Sequence, residues 1–195
     1  MKKKKGAVFL DRDGTIIEDR DYLSDPRDVK LIPGSVQAVK AINDMGFKTI
    51  VVTNQSGVAR GYFSEEKIEV VHNKLKELLN KDGARIDAFY YCPHHPTSGE
   101  GAYKTRCHCR KPETGMLDAA VRDFDLDQAR SYVIGDKLID IELAQRAGAR
   151  GILVKTGYGI RELEKLKENS ETAPDHIAED LLDAVEWIKK EEEKP

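Results

Sequence analysis

Apolar and polar positions along the chain switch between two periods. Five short runs are apolar and almost free of charge: residues 7–10, 49–53, 88–91, 132–135 and 151–154. Each is rich in β-branched or aromatic residues, the pattern of strands covered on both faces. Between them apolar residues recur at helical spacing, which predicts helices over 35–45, 64–80, 114–124, 139–147, 162–167 and 179–190. Val36, Val39, Ile42 and Met45 share one side of the first, and Gly46 stops it. Ser64 is suited to cap the second, with Glu65 and Glu66 in its first turn. Pro112 suits the first turn of the helix next in the chain. Strand and helix in alternation predict an α/β fold, a Rossmann-like three-layer sandwich with a mostly parallel sheet and right-handed crossovers. The expected organisation is one domain over 1–195. Ligands of such sheets sit beyond the carboxyl ends of the strands, so the residues just after each strand carry the chemistry.

Composition narrows the functional classes. The chain has 195 residues, with 32 Lys and Arg against 35 Asp and Glu, and 39% hydrophobic residues. That length supports a core without disulfides, and that apolar content does not suit a disordered chain. A net charge of −3 argues against a dedicated nucleic-acid binder. Lys2 to Lys5 resemble the start of a signal peptide, but the apolar run after them stops at Asp11, too soon for one. No apolar run approaches a membrane span. A cytoplasmic, membrane-free monomer is expected. The charge run 189–195 is expected to be frayed helix.

Chemistry gathers at the strand ends. Asp11-Arg12-Asp13-Gly14-Thr15 comes directly after the first apolar run. A bare Asp-x-Asp is often a solvated turn, but its place at a strand's carboxyl end favours a catalytic or metal-binding pair. Thr53-Asn54-Gln55-Ser56-Gly57 ends the second and can present a nest of N–H donors to phosphate oxygens. Gly135-Asp136-Lys137 ends the fourth, with Asp140 four residues beyond Asp136, either a further site carboxylate or a helix-start residue. Three converging carboxylates with room for water suit Mg²⁺. Arg110 and Lys111 are cations placed to neutralise phosphate.

The three cysteines, an odd count for a disulfide framework, all fall within 92–109. Cys92-x-His94 and Cys107-x-Cys109 offer three thiols and an imidazole, a closed tetrahedral set for structural zinc. His95 and His108 are alternatives to His94. The flanks, with Pro93, Pro96, Gly99, Gly101, Lys104 and Arg106, are not core composition, so a loop here needs metal to fold. Residues 103–112 hold four Lys or Arg and no acid, whereas 11–25 hold six acids and two bases. Lining one cleft, the two segments would pair a metal edge with a phosphate edge.

These motifs in this order resemble the haloacid dehalogenase superfamily: Asp11, Asp13 and Thr15, then Thr53, then Lys111, then Gly135, Asp136 and Asp140. With the cysteine–histidine loop and the segment 53–61, the chain is similar to the sugar-bisphosphate phosphatases of its histidinol-phosphatase-like branch. The resemblance implies an essentially capless phosphatase that hydrolyses the 7-phosphate of D-glycero-D-manno-heptose 1,7-bisphosphate, for heptose synthesis. It implies that Asp11 is the nucleophile, forming an aspartyl-phosphate, and that Asp13 is the general acid and base. Mg²⁺ is implied at Asp11, Asp136 and the main chain of Asp13, with Lys137 orienting that site or pairing with Asp11. Thr53, Lys111 and Arg110 are assigned to the phosphate, and Asp19, Tyr22, Asn54, Gln55 and Ser56 to the sugar. Ile17, Arg20 and Asp21 depart from the family pattern beside the sugar. The rival readings are a histidinol-phosphate phosphatase, a polynucleotide 3′-phosphatase, and a zinc-loop module binding nucleic acid or protein on an inactive fold.

Overall fold

The computed structural model describes residues 4–168 and 172–194. Lys2 and Lys3 of the basic run and Pro195 of the charged tail lie outside the described residues. Among the described residues six strands form one parallel sheet: Ala7–Leu10 (β1), Lys48–Asn54 (β2), Ala88–Cys92 (β3), Tyr132–Gly135 (β4), Arg150–Val154 (β5) and His176–Ala178 (β6). Their order is β3-β2-β1-β4-β5-β6. The order reverses between β1 and β4, where a crevice opens at the carboxyl ends. The helices are Ser35–Asp44 (α1), Glu65–Asn80 (α2), Gly115–Phe124 (α3), Leu138–Ala147 (α4), Gly159–Glu168 (α5) and Leu181–Glu192 (α6).

The two-residue period of β1 supplies both layers of core. Val8 and Leu10 pack with Val39 and Ile42 of α1, Leu75 and Leu79 of α2, and Val185 and Ile188 of α6. Ala7 and Phe9 face the other way and join Leu117 and Ala120 of α3 and Leu143 and Ala144 of α4. All four β1 side chains are fully buried. Burying a Val, Leu or Phe stabilises by about 1.5–3 kcal/mol, so β1 is firmly held and its carboxyl end is a fixed reference for the residues beyond it.

The structure departs from the sequence pattern in several places, among them the fifth helix, which begins at Gly159 rather than 162. The three-residue strand β6 was not expected; it is an edge strand in which Ile177 is 41% exposed, so it leaves no apolar run. Asp175 ties it down, accepting from Gly151 N–H at 2.7 Å and donating to Gly151 O at 2.8 Å. The last helix begins at Leu181 rather than 179, because Asp180 caps it by accepting from Asp183 N–H. Pro112 is not in a first turn: α3 starts at Gly115, beyond a turn closed by Glu113 N–H to Arg110 O. Ser64 occupies the N-cap of α2 without making the side-chain capping bond. The long segment between β3 and α3 is fastened to the loop after β2. Ala59 N–H donates to Pro93 O, Glu100 N–H donates to Ala59 O, and Gly99, at φ +93°, passes so close to Ala59 O that a Cβ would lie 1.8 Å from it.

One buried group makes the core sensitive to acid. His72 of α2 is 1% exposed, stacks on Phe89 at 4.4 Å, and has no partner for either ring nitrogen. Burial, with Arg12 and Lys76 adding to it, holds its pKa down to about 3 from 6.5. Below pH 6.5 the unfolded chain takes up a proton that the folded chain refuses, so stability falls as pH drops from 6.5 towards 3. His72→Phe should remove this loss, flattening the decline by up to about 1.4 kcal/mol per pH unit. Urea unfolding at pH 7.0, 5.5 and 4.5 measures it; parallel curves for both proteins would refute the assignment.

Candidate active site

Lys111 is the centre of the crevice. Its ammonium is buried and donates to Asp11 Oδ1 at 2.8 Å, Asp140 Oδ1 at 2.6 Å and Val52 O at 3.0 Å. Its backbone is pinned by Asn54, whose Oδ1 accepts from Lys111 N–H at 3.0 Å and whose Nδ2 donates to Lys111 O at 3.2 Å. Burial pushes the Asp11 carboxyl up, but Lys111 and Lys137 more than offset it and hold it below its ordinary value. Asp140 is pushed up to about 6 by burial, with Lys111 opposing.

Asp136 completes the group. One oxygen each from Asp11, Asp136 and Asp140 lie within 4.8 Å of one another. Burial and then the charge of Asp11 push Asp136 up to about 8. Its Oδ2 accepts from Tyr158 N–H at 2.8 Å, whereas its Oδ1 is buried without a hydrogen-bond partner. Two glycines make room for it: a Cβ on Gly14 (φ +81°) or on Gly157 (φ +55°) would lie 2.2 Å from Oδ2. Three crowded carboxylates, one with an unpartnered oxygen, form a donor set that fits a hard divalent cation such as Mg²⁺.

Asp13 stands apart from that trio. Arg12, fully buried, clamps it through Nε at 3.1 and 3.2 Å and NH2 at 3.0 Å, and Gln55 Nε2 donates to it at 2.9 Å. Gln55 Nε2 also donates to Thr53 Oγ1 at 2.8 Å, which joins the ends of β1 and β2. Asp13, Asp19, Tyr22, Asn54, Gln55, Ser56 and Lys137 line a cleft of about 170 Å³ together with Asp21, Leu23, Gly57 and Tyr158. Lys137 Nζ lies 3.4 Å from Asp19 and 3.7 Å from Asp136, over the Tyr158 ring at 4.6 Å. It is therefore a charge partner of the carboxylates. Of the four cations in 103–112, Lys111 enters the acidic group; Arg110 instead donates to His94 O at 3.1 Å, and Arg106 lines another cavity.

The cysteine–histidine residues also converge. Sγ of Cys92, Nδ1 of His94, Sγ of Cys107 and Sγ of Cys109 lie within 4.8 Å of one another, with neighbouring separations of 3.2–3.6 Å. A tetrahedron of about 2.3 Å zinc–sulfur bonds has edges near 3.8 Å, so the four atoms fit that ion. His95 is turned away, its Nδ1 accepting from Thr97 and Ser98 N–H, and His108 is exposed beside Asp118.

Sequence reasoning missed Arg12 and Tyr158. Arg12 was only the variable residue between two aspartates, although a guanidinium between two carboxylates is itself a signal. Tyr158 acts through its backbone N–H, which no side-chain pattern records. Asp140, open between two readings, serves both: it pairs with Lys111 and accepts from Lys137 N–H at 3.3 Å at the start of α4.

A model of the HAD-hydrolase-like family matches residues 108–184. The chain is 48% identical over 186 residues to D-glycero-D-manno-heptose-1,7-bisphosphate 7-phosphatase of Thermosynechococcus vestitus, covering 93% of this chain and 94% of that one. It is 38% identical over 193 residues to D-glycero-beta-D-manno-heptose-1,7-bisphosphate 7-phosphatase of Escherichia coli K12, covering 98% of each. Among solved structures, D,D-heptose 1,7-bisphosphate phosphatase from B. bronchiseptica, complexed with magnesium and phosphate, superposes with a TM-score of 0.82 at 33% identity, covering 95% of this chain and 99% of that one.

The cradle of Asp136 is open to a direct test. Gly61 has φ +73° with nothing within 4 Å of a Cβ, whereas Gly157 has φ +55° and a Cβ there meets Asp136. Gly61→Ala should cost only the left-handed backbone strain, about 1 kcal/mol. Gly157→Ala should cost at least about twice that, because a buried carboxylate and the Gly14 backbone, whose Cα would lie 2.6 Å from the new Cβ, must also move. Equal losses in urea unfolding would show that this cradle yields freely.

Proposed function

The chain belongs to the D-glycero-D-manno-heptose-1,7-bisphosphate 7-phosphatase family of haloacid dehalogenase-like hydrolases, and from that membership we propose that it hydrolyses the 7-phosphate of this heptose bisphosphate in heptose synthesis. The observation that carries the reading is the buried Asp11–Lys111–Asp140 group beside Asp136, next to a cleft lined by Asp13. Asp11, held ionised by Lys111 and Lys137, attacks phosphorus, and the bond to the sugar oxygen breaks. Asp13, fixed by Arg12 and Gln55, gives that oxygen its proton and then takes one from the water that hydrolyses the aspartyl-phosphate. Lys111 and Thr53 face the transferring oxygens, where positive charge and a hydroxyl donor offset the charge that develops. Asp11, Asp136 and the main-chain carbonyl of Asp13 would hold Mg²⁺, which supplies the charge that lets an anionic carboxylate approach an anionic phosphate.

Cys92, His94, Cys107 and Cys109 are read as a structural zinc site. The loop that holds them has few apolar side chains to pack, and three thiols packed together need a cation to settle as thiolates; burial, with Cys109 and Cys107 adding to it, pushes the Cys92 thiol far up. Reduced cysteines support a cytoplasmic setting, and a monomer is the assembly proposed. Among the described residues no helix is long and apolar enough to cross a membrane.

A substrate panel with Mg²⁺ tests the main reading. Heptose 1,7-bisphosphate should be hydrolysed with a kcat/KM at least about 100-fold above histidinol phosphate or a 3′-phosphorylated oligonucleotide, a gap of about 2.7 kcal/mol. Asp11→Asn should lower turnover by about 10³-fold or more with the fold intact. A preference for either rival, or retained turnover in the variant, would overturn it. Metal analysis should find about one zinc per chain, and strong chelation should lower the thermal midpoint while freeing three titratable thiols. A metal-free protein with the same midpoint would reject the zinc site.

A further inference from the structure

Two hydrogen-bond donors meet beside the cleft with no acceptor between them. His95 Nδ1 accepts from Thr97 N–H at 3.2 Å and Ser98 N–H at 2.9 Å. A ring nitrogen that accepts carries no proton, so the hydrogen of this imidazole is on Nε2. Nε2 faces Arg60 NH2 at 3.4 Å, and arginine has only donors. The contact is therefore donor against donor. Arg60 Nε is moreover buried with no hydrogen-bond partner, and among the described residues no carboxylate pairs with Arg60.

The place of this pair gives it a function. The Arg60 guanidinium lies 5.8 Å from the Tyr22 ring, and Tyr22 lines the substrate cleft. Tyr22 in turn packs edge-on against Tyr62 at 4.7 Å. Arg110 donates to the carbonyl of His94 and so steadies the backbone that carries His95. An anion seated here would accept from both residues at once, and a phosphate matches the planar fork of arginine.

We propose that Arg60 and His95 seat the second, non-reacting phosphate of a sugar bisphosphate. This rests on the phosphatase reading above. Asp11 and Lys111 act on the phosphate that leaves, whereas Arg60 and His95 hold the one that stays. They are specificity residues and take no part in bond making.

Arg60→Gln tests the seat, with heptose 1,7-bisphosphate compared against heptose 7-phosphate. For the bisphosphate, kcat/KM should fall about 10–100-fold, the loss expected for a charged hydrogen bond, and the fall should lie in KM. For the 7-phosphate, kcat/KM should stay within about twofold. Arg60→Lys should recover part of the difference. Equal falls on both substrates would mean a structural role, and no change on either would mean no contact; each overturns the proposal. A second arm does not depend on the sugar: 1,5-pentanediol bisphosphate and pentyl phosphate compete with p-nitrophenyl phosphate. A preference for the bisphosphate that disappears in Arg60→Gln supports the seat, and one that is absent or persists overturns it. An unmutated protein that ignores the heptose compounds but passes this second arm would overturn the sugar assignment alone.

Discussion

The ammonium of Lys111 is the interaction on which the rest of the site depends. All three of its donors are used, on Asp11, Asp140 and the carbonyl of Val52. Those partners belong to the end of β1, the start of α4 and the end of β2, so one side chain ties three elements around the crevice. Taking such charges out of water costs several kcal/mol per ion, and losing one partner of a buried pair typically costs about 3–5 kcal/mol. The pairing is tolerable because every donor is satisfied. It also anchors the exit of the long loop after β3, since the two backbone hydrogen bonds of Asn54 hold the Lys111 peptide in place. An incoming phosphate would meet a cation already oriented, and its oxygens could accept from Lys111 Nζ in place of Asp140 or Val52.

The same crowding that destabilises the resting site prepares it for a metal. Among the described residues Asp11, Asp136 and Asp140 face Lys111 and Lys137 as near cations, and burial, with the charge of Asp11 adding to it, pushes Asp136 up to about 8. Gly14 and Gly157 let the backbone close around Asp136 Oδ2, while Oδ1 makes no hydrogen bond among the described residues and has only Lys137 at 3.7 Å. A fold that only sought stability would fill such a place with apolar side chains. Here β1 and β4, buried on both faces, supply the rigidity that holds like charges within reach of one another.

Much of this was legible because strands and chemistry obey separate, simple rules. Buried parallel strands read as apolar runs, and the residues after them, Asp11, Thr53 and Asp136, fall together once the strands align. The Cys–His spacing was legible for a similar reason: four soft ligands in two short pairs have few other uses. The illegible parts depend on contacts distant in sequence or made by backbone. β6 is held by the side chain of Asp175 rather than by a hydrophobic run of its own. The residues around Pro112 serve the Lys111 anchor instead of a helix start. Arg12 lies between the two residues that carry the motif, and its clamp on Asp13 holds that side chain apart from the Asp11–Asp136–Asp140 group. Which histidine joins the three thiols depended on how the loop turns, and the N–H groups of Thr97 and Ser98 turn His95 away from them.

The near-neutral balance of the chain conceals a division of labour by charge. The acid-rich segment 11–25 and the base-rich segment 103–112 do not simply face each other as two edges. Lys111 crosses into the acids, while Arg110 and the donors of Arg60 and His95 remain on the side of the cysteine–histidine loop. A substrate with a negative group at each end would then be oriented by two unlike places, one buried and metal-assisted, the other half-exposed and held by hydrogen bonds. The second can be no more rigid than the loop that bears it. That loop has few apolar side chains to pack, so its order comes from the Cys92–His94–Cys107–Cys109 group, from the two backbone bonds linking it to Ala59, and from hydrogen bonds such as Tyr103 Oη to Glu65 and those of Asn54 to the Lys111 backbone. A metal held by that group, two residues along the chain from Lys111, would thus bear on which phosphate reaches Asp11, while the buried core of β1 and Lys111 would govern what happens to it there.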